Sequence, residues 1–520
     1  MGRPHGIVRA GLSFMSEDLH ARAPVEQFPN SENLGDLFSI LQKAAASSAE
    51  KTALLRAGRS LSFKDLHSTA ELLAAKLVAA GIIAGDTVGL MASNTLEYIT
   101  MFFATARIGA IIVPIPQGSK QAEVSDLAGQ IDLNAFFYSR SFAPLIPDSP
   151  METAIETTVL PDRPSVSIRR RGSSVIVDAE GKTCLKTGVG MIRFSSGTTG
   201  KAKGVILSTN AILARAKTFS LAYSLNRNSC VLHLLSPELA TPTLLGCMLQ
   251  GSRVVVEDIH KFESIARLIR IHGVTHIHAS PLFYGMMVGS DAIHADDLRS
   301  VRYVISTGAP LANPVAKAFA EKFGREIFQY YALAECGTVF ANTSQDIEKR
   351  GSSGVLLPSC EVQLVNSSSA GTGEIGELLV RGSGLFEGYC RPWRLRDEIL
   401  EDGWFRTGDV ARRDVDGYYW IVGRTKDLIN VGGVKVFPDE IEEVLLSHPT
   451  VDEAVVFGAP DPRFGEVPRA KVALVPGSTC EEKELLDFSN QRLSVFRRLR
   501  SIEIVPELPK TPTGKLKRTV

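Results

Sequence analysis

Between Ser195 and Gly204 the 520-residue chain reads SSGTTGKAKG. Gly197 and Gly200 let main-chain N–H groups approach a ligand closely. Ser195, Ser196, Thr198 and Thr199 add hydroxyl donors, and Lys201 and Lys203 add positive charge. Apolar runs flank the segment, Met191 to Phe194 before it and Val205 to Leu207 after it. This composition suits a loop that holds a polyphosphate; the competing reading is a plain surface turn. A Walker A loop is excluded, because Ala202 stands where that pattern needs its second glycine.

Four further segments follow in order. They are Tyr330-Tyr-Ala-Leu-Ala-Glu335, Trp404-Phe-Arg-Thr-Gly-Asp409, the stretch GRTKDLINVGGVKVFPDEIE from Gly423 to Glu442, and PTGKLKR from Pro512 to Arg518. With the loop they resemble the adenylate-forming superfamily: acyl- and aryl-CoA synthetases, peptide-synthetase adenylation domains and luciferases. The resemblance runs from about residue 35 to the end, and its look is nearest to the acyl- and aryl-CoA ligases. Two departures stand out. Ala202 replaces a usual proline, and Ala332 and Ala334 replace a usual glycine and threonine. The missing hydroxyl at 334 costs about 1 kcal/mol if nothing compensates.

The resemblance implies roles residue by residue. Gly308, Ala309 and Pro310 lie along adenine, and Tyr331 stacks on it. Glu335 holds Mg²⁺ beside the phosphates, an oxygen ligand for a hard cation. Asp409 takes both ribose hydroxyls, which a carboxylate can accept together, and Arg424 reaches the ribose and phosphate. Lys426 sits on a hinge, Gly432 and Gly433 on a hairpin facing the thiol acceptor, and Lys515 is the catalytic lysine. For Lys426 an ordinary exposed lysine is the alternative. Glu238 and Ala240 are weak candidates for the acid pocket.

The implied chemistry is a two-step ligation. A carboxylate attacks the α-phosphorus of ATP, magnesium pyrophosphate leaves, and a thiol then displaces AMP from the acyl-adenylate. Lys515 and the glycine loop would meet the electrostatic demand of an anion attacking a polyanion. Coenzyme A is the expected thiol; the alternative is the phosphopantetheine of a carrier protein, no carrier domain being fused. An inactive nucleotide-binding relative is a third reading, prompted by Ala332 and Ala334. The acid is expected to be aromatic or medium-sized and apolar.

Composition narrows the class. Lysines and arginines (57) balance aspartates and glutamates (57), so a nucleic-acid partner is not expected. The seven cysteines form no C-x-x-C pair, which suits a reduced, cytoplasmic protein and argues against a disulfide framework or zinc site. Cys336 reads as a packed thiol. The apolar stretch Tyr98 to Pro116 carries Arg107 and two prolines, so it predicts a buried helix running into a strand and no membrane span.

These residues need a scaffold. Leu66, Ala70, Leu73 and Leu77 predict a helix capped by Ser62 and Asp65 and stopped at Gly81. Strand-like runs alternating with helices predict an α/β fold, a large N-terminal domain of helix-covered parallel sheets. Residues 144–175 read as a long loop. Past Thr372 the pattern predicts a β subdomain, in which the glycines at 371, 373 and 376 mark a turn and not a dinucleotide fingerprint. A small, mobile α+β C-terminal domain is expected over 426–520, leaving 1–425 as the adenylation domain, with 1–30 as a mobile arm.

Overall fold

Local signals set the first elements. In the computed structural model, Ser62 caps the helix Phe63–Ala79: its hydroxyl accepts from the Asp65 N–H, while the Asp65 carboxylate accepts from the Ser62 N–H. Gly81, at φ +96°, ends the run. The structure describes residues 36–520 except 57, 94–95, 132, 148–150, 155–163, 169–187, 195–202, 258–260, 371–372, 391–392, 511–515 and 517–520. The expected mobile arm, the phosphate loop up to Ala202, and Lys515 thus lie outside the described residues.

The apolar stretch divides as its glycine predicts. A helix, Leu96–Arg107, precedes Gly109 at φ +72° and the strand Ile111–Pro114. All but Arg107 of that helix is buried, which explains why it is apolar on every side. Among the described residues no helix is long and apolar enough to cross a membrane.

Two large sheets sandwich these helices. One has nine strands, with Thr87–Met91, Ile111–Pro114 and Ala135–Ser139 parallel at its centre. The other has 13. Its parallel half includes Cys230–His233, Arg253–Val256, His276–Ala279, Tyr303–Ser306 and Ile327–Leu333. Its antiparallel half includes Gly337–Ala341, Gly373–Gly382, Phe405–Asp414 and Tyr418–Arg424. A single buried cluster joins Val88 and Leu90 of the first sheet to Val231, Val254 and Ile305 of the second, with Leu73, Phe103 and Phe219 between. The fold is α/β, parallel where helices cover it and antiparallel beyond.

The sequence expectation fails at 144–175. Strands Met151–Ala154 and Pro164–Ile168 extend the nine-stranded sheet beyond Ala135–Ser139. Pro164–Ile168 is placed by Ala135–Ser139 and in turn places Met151–Ala154, so the Pro- and Ser-rich composition of this region does not announce either strand. The glycine-rich segment at 371 also differs in detail. Gly373 and Gly376 already lie in the strand Gly373–Gly382, paired with Cys360–Ala370.

After Arg424 comes a short 3-10 turn, Thr425–Asp427, and then a separate five-stranded sheet. Helices Pro438–Leu446 and Glu482–Arg492 cover it. Its core holds Val431, Ile441, Leu445, Val456, Val472 and Leu485. The side chain of Asn313 donates to Glu443, linking this unit to the larger one.

Candidate active site

The strand Ile327–Leu333 is the seam of the large sheet. It runs parallel to Tyr303–Ser306 on one side and antiparallel to Gly337–Ala341 on the other, with a register shift at Tyr331. Ligands of α/β sheets bind beyond the carboxyl ends of parallel strands where direction changes. Here that place is the turn Thr307–Pro310 and the end of the seam strand. Gly308, at φ +92°, takes a backbone conformation that glycine favours, and Gly308, Ala309 and Pro310 are all exposed. The Gln329 side chain accepts from the Leu311 N–H at 3.0 Å and anchors the turn.

Tyr331, Asp409 and Arg424 come together. Asp409 is buried, 3% exposed. One of its oxygens accepts from the Tyr331 hydroxyl at 2.5 Å, and the other pairs with Arg424 Nε at 2.9 Å. The register sets the pair, since Asp409 faces Arg424 across neighbouring strands. Gly408, at φ +72°, turns the chain so that the Asp409 N–H donates to Thr407 Oγ1. Burial and the neighbouring Asp409 push the Tyr331 hydroxyl well above its ordinary pKa, so it stays a donor. A carboxylate offers about four acceptor positions. Among the described residues, Tyr331 and Arg424 take one oxygen each.

Glu335 stands in the tight link between the seam strand and Gly337–Ala341. Its Oε1 accepts from the Tyr389 hydroxyl at 2.8 Å. Tyr389 lies opposite Val205 in the nine-stranded sheet, and the Lys203 ammonium sits 5.1 Å from the centre of its ring. Tyr389 therefore stands between Lys203, the described end of the candidate phosphate loop, and Glu335. Phe194 faces Gly204 across the two strands that bracket the loop. As for Mg²⁺, Glu335 offers a hard carboxylate with one oxygen engaged, and no described residue hydrogen-bonds the other. That donor set fits a cation completed by phosphate oxygens and water.

Other candidates lie apart. Lys426 is exposed in the turn Thr425–Asp427. Gly432 and Gly433, at φ +59° and +91°, form the exposed tip of the hairpin Ile429–Val436. That sign of φ at both central residues is the turn geometry glycine favours. Glu238 and Ala240 fall in the first turn of the helix Pro237–Gln250, their side chains outside the described residues. Lys515 and residues 195–201 also lie outside them, whereas Lys203 is described.

Three residues escape the sequence reading. Tyr389 follows a glycine and carries no motif signal of its own. Arg215, 5% exposed, donates to the carbonyls of Ala334, Glu335 and Gly384. His278 bridges Thr243 Oγ1 (3.0 Å) and the Tyr330 hydroxyl (3.2 Å). Burial holds His278 well below the ordinary histidine pKa, and lowers its neighbour His276 to about 4. Both imidazoles are neutral at physiological pH. Cys336 is buried, and burial raises its thiol well above the ordinary range; it is no nucleophile.

Comparison with known proteins extends the picture. Residues 41–390 match the model of the AMP-binding enzymes, and residues 440–515 that of the AMP-binding enzyme C-terminal domain. A probable CoA ligase of Humulus lupulus, CCL5, is 28% identical over 483 residues, 89% of this chain and 87% of that protein. A feruloyl-CoA synthase of Amycolatopsis is 28% identical over 493 residues, covering 91% and 96%. ATP-bound MatB from Rhodopseudomonas palustris shares the fold at a TM-score of 0.79 and 24% identity, covering 93% and 97%.

Proposed function

The chain belongs to the AMP-binding enzyme family, and from that premise we propose how its site performs acid activation. It is an acid–CoA ligase acting through an acyl-adenylate. In the first step a carboxylate oxygen attacks the α-phosphorus of ATP, the bond to the β-phosphate oxygen breaks, and pyrophosphate leaves. In the second a thiol attacks the acyl carbonyl, loses its proton, and expels AMP.

Asp409 receives the ribose hydroxyls on the acceptor positions that Tyr331 and Arg424 leave unused. The buried Asp409 carboxylate, fixed from both sides, is the observation that supports this reading most. Tyr331, its ring held by that hydrogen bond, lines the adenine with Gly308, Ala309 and Pro310. Arg424 reaches the ribose and phosphate. Glu335 would hold Mg²⁺, which, when bound, neutralises charge on the departing pyrophosphate. Residues Ser195, Ser196, Gly197, Thr198, Thr199, Gly200, Lys201 and Lys203 cradle the phosphates.

Lys515 belongs to the first step and the Gly432–Gly433 hairpin to the second. Domains of 1–425 and 426–520 with a hinge at Lys426 would exchange them at one site edge. The short turn Thr425–Asp427 between two independent cores supports such a joint. The acid is of the aromatic or medium-sized apolar class: the neutral His278, Tyr330 and Thr243 beside the seam offer no fixed charge to an acyl tail. The feruloyl-CoA synthase among the relatives is in keeping with this.

The test is acid-dependent ATP–pyrophosphate exchange over a panel of carboxylic acids. Thioester formation is then measured with free CoA and with phosphopantetheinylated carrier proteins. Exchange with aromatic acids and transfer to free CoA are expected. Transfer to carriers alone would move the acceptor to a protein, and exchange with no aromatic or apolar acid would refute the substrate class.

A further inference from the structure

The helix Thr209–Ala222 leaves the strand that follows the phosphate loop, and Arg215 projects from it into the core. Arg215 Nε donates to the Gly384 carbonyl at 2.8 Å, Nη1 to Ala334 at 2.9 Å and Nη2 to Glu335 at 2.9 Å. The Glu335 carbonyl is held a second time, by the Phe386 N–H at 2.8 Å. One side chain thus pins two segments, 334–335 and 384, that are distant in sequence from it and from each other.

Two glycines shape the channel around it. A Cβ at Gly337, where φ is +72°, would lie 2.6 Å from Arg215 Cγ, and one at Gly384 would lie 3.4 Å from it. The space is fitted to an arginine stem. Burial lowers the guanidinium pKa to about 10, yet it remains charged at neutral pH, helped by Glu335. Burying a charge costs several kcal/mol, which neutral carbonyls offset only in part. An apolar side chain would serve packing alone at lower cost.

We propose that Arg215 is a positioning residue for adenylate formation: it locks the Ala334–Glu335 link so that the Glu335 carboxylate is presented to the metal–phosphate group beside Lys203 and Tyr389. It acts through Glu335 and touches no reacting atom. This rests on the reading of Glu335 as the magnesium ligand.

The full-length enzyme is compared with Arg215→Met and Arg215→Lys in two assays. One is acid-dependent ATP–pyrophosphate exchange. The other is Mn²⁺ binding in the presence of a non-hydrolysable ATP analogue, followed by electron paramagnetic resonance. Arg215→Met should lose about 50-fold in kcat, keep its KM for ATP within about threefold, and bind Mn²⁺ at least about fivefold more weakly. Arg215→Lys, which keeps the charge and reaches one carbonyl, should recover part of both losses. Should the methionine variant not fold, the lysine variant decides: Mn²⁺ affinity weakened about threefold supports the proposal, and parental affinity overturns it. Loss of activity with parental Mn²⁺ affinity marks general support of the fold and also overturns it. A parent enzyme without acid-dependent exchange would instead sink the proposed function, and the Mn²⁺ comparison would still judge Arg215.

Discussion

The Tyr389 hydroxyl donates to Glu335 Oε1 at 2.8 Å and so joins the nine-stranded sheet to the end of the seam strand in the other. Burial and the Glu335 charge raise the phenol's pKa, so this donor persists across the working pH range. Tyr389→Phe keeps the ring beside Lys203 and removes only the bond. A hydrogen bond to a charged group contributes about 1.5–3 kcal/mol, so pyrophosphate release should slow roughly 10- to 100-fold. The Mg²⁺ concentration for half-maximal rate should rise. A magnesium titration of initial rates checks both.

Asp409→Asn keeps the shape between Tyr331 and Arg424 but replaces one acceptor oxygen by a donor. The KM for ATP should rise at least about tenfold, as expected when a charged hydrogen-bond acceptor is lost. The melting temperature should fall as well, because the Asp409 side chain is only 4% exposed and the new amide leaves Tyr331 or Arg424 with a poorer partner. Steady-state kinetics and thermal melts separate the two outcomes.

The two half-reactions should fail independently. Lys515→Ala is expected to abolish adenylate formation while thioester formation from supplied acyl-AMP largely survives. Gly433→Val places a β-branched residue at φ +91° on the hairpin tip. It should slow transfer to CoA and leave pyrophosphate exchange near parental rates. Lys426→Pro, at the joint, should do the same. Single-turnover assays of each step tell these variants apart.

Glu442, on the helix Pro438–Leu446, accepts from the Val456 N–H at 2.8 Å. Burial, with the nearby Asp427 adding to it, raises its pKa from 4.5 to about 7. The folded state then holds a proton that the unfolded chain releases. Its contribution to stability is complete below about pH 4.5 and is lost as pH rises through about 7, on the order of 3 kcal/mol. Urea unfolding of the parent should therefore weaken over that window relative to Glu442→Gln, whose neutral amide can still accept from Val456.

Short motifs made much of the site readable. Thr407, Gly408 and Asp409 are consecutive, and Gly423-Arg424 falls on the adjacent strand, so local pattern names both partners of one ion pair. Helix caps such as Ser62 with Asp65 are equally local. Arg215 was hidden because its partners lie 119, 120 and 169 residues away, and ILARAK reads as an ordinary helix surface. Tyr389 meets Glu335 across 54 residues and two sheets. The strands at 151–154 and 164–168 escape for a related reason: Pro164–Ile168 is paired by Ala135–Ser139, and Met151–Ala154 is paired in turn by Pro164–Ile168.

The seam also divides labour. His278 and Thr243, proposed above to border the acyl tail, come from the parallel half and its helix, whereas Asp409 and Arg424 come from strands of the antiparallel half. Ile327–Leu333 joins the two halves. Exchanging only the segments that carry His278 and Thr243 would therefore retune which acids are accepted while leaving the Asp409–Arg424 pair an untouched chassis.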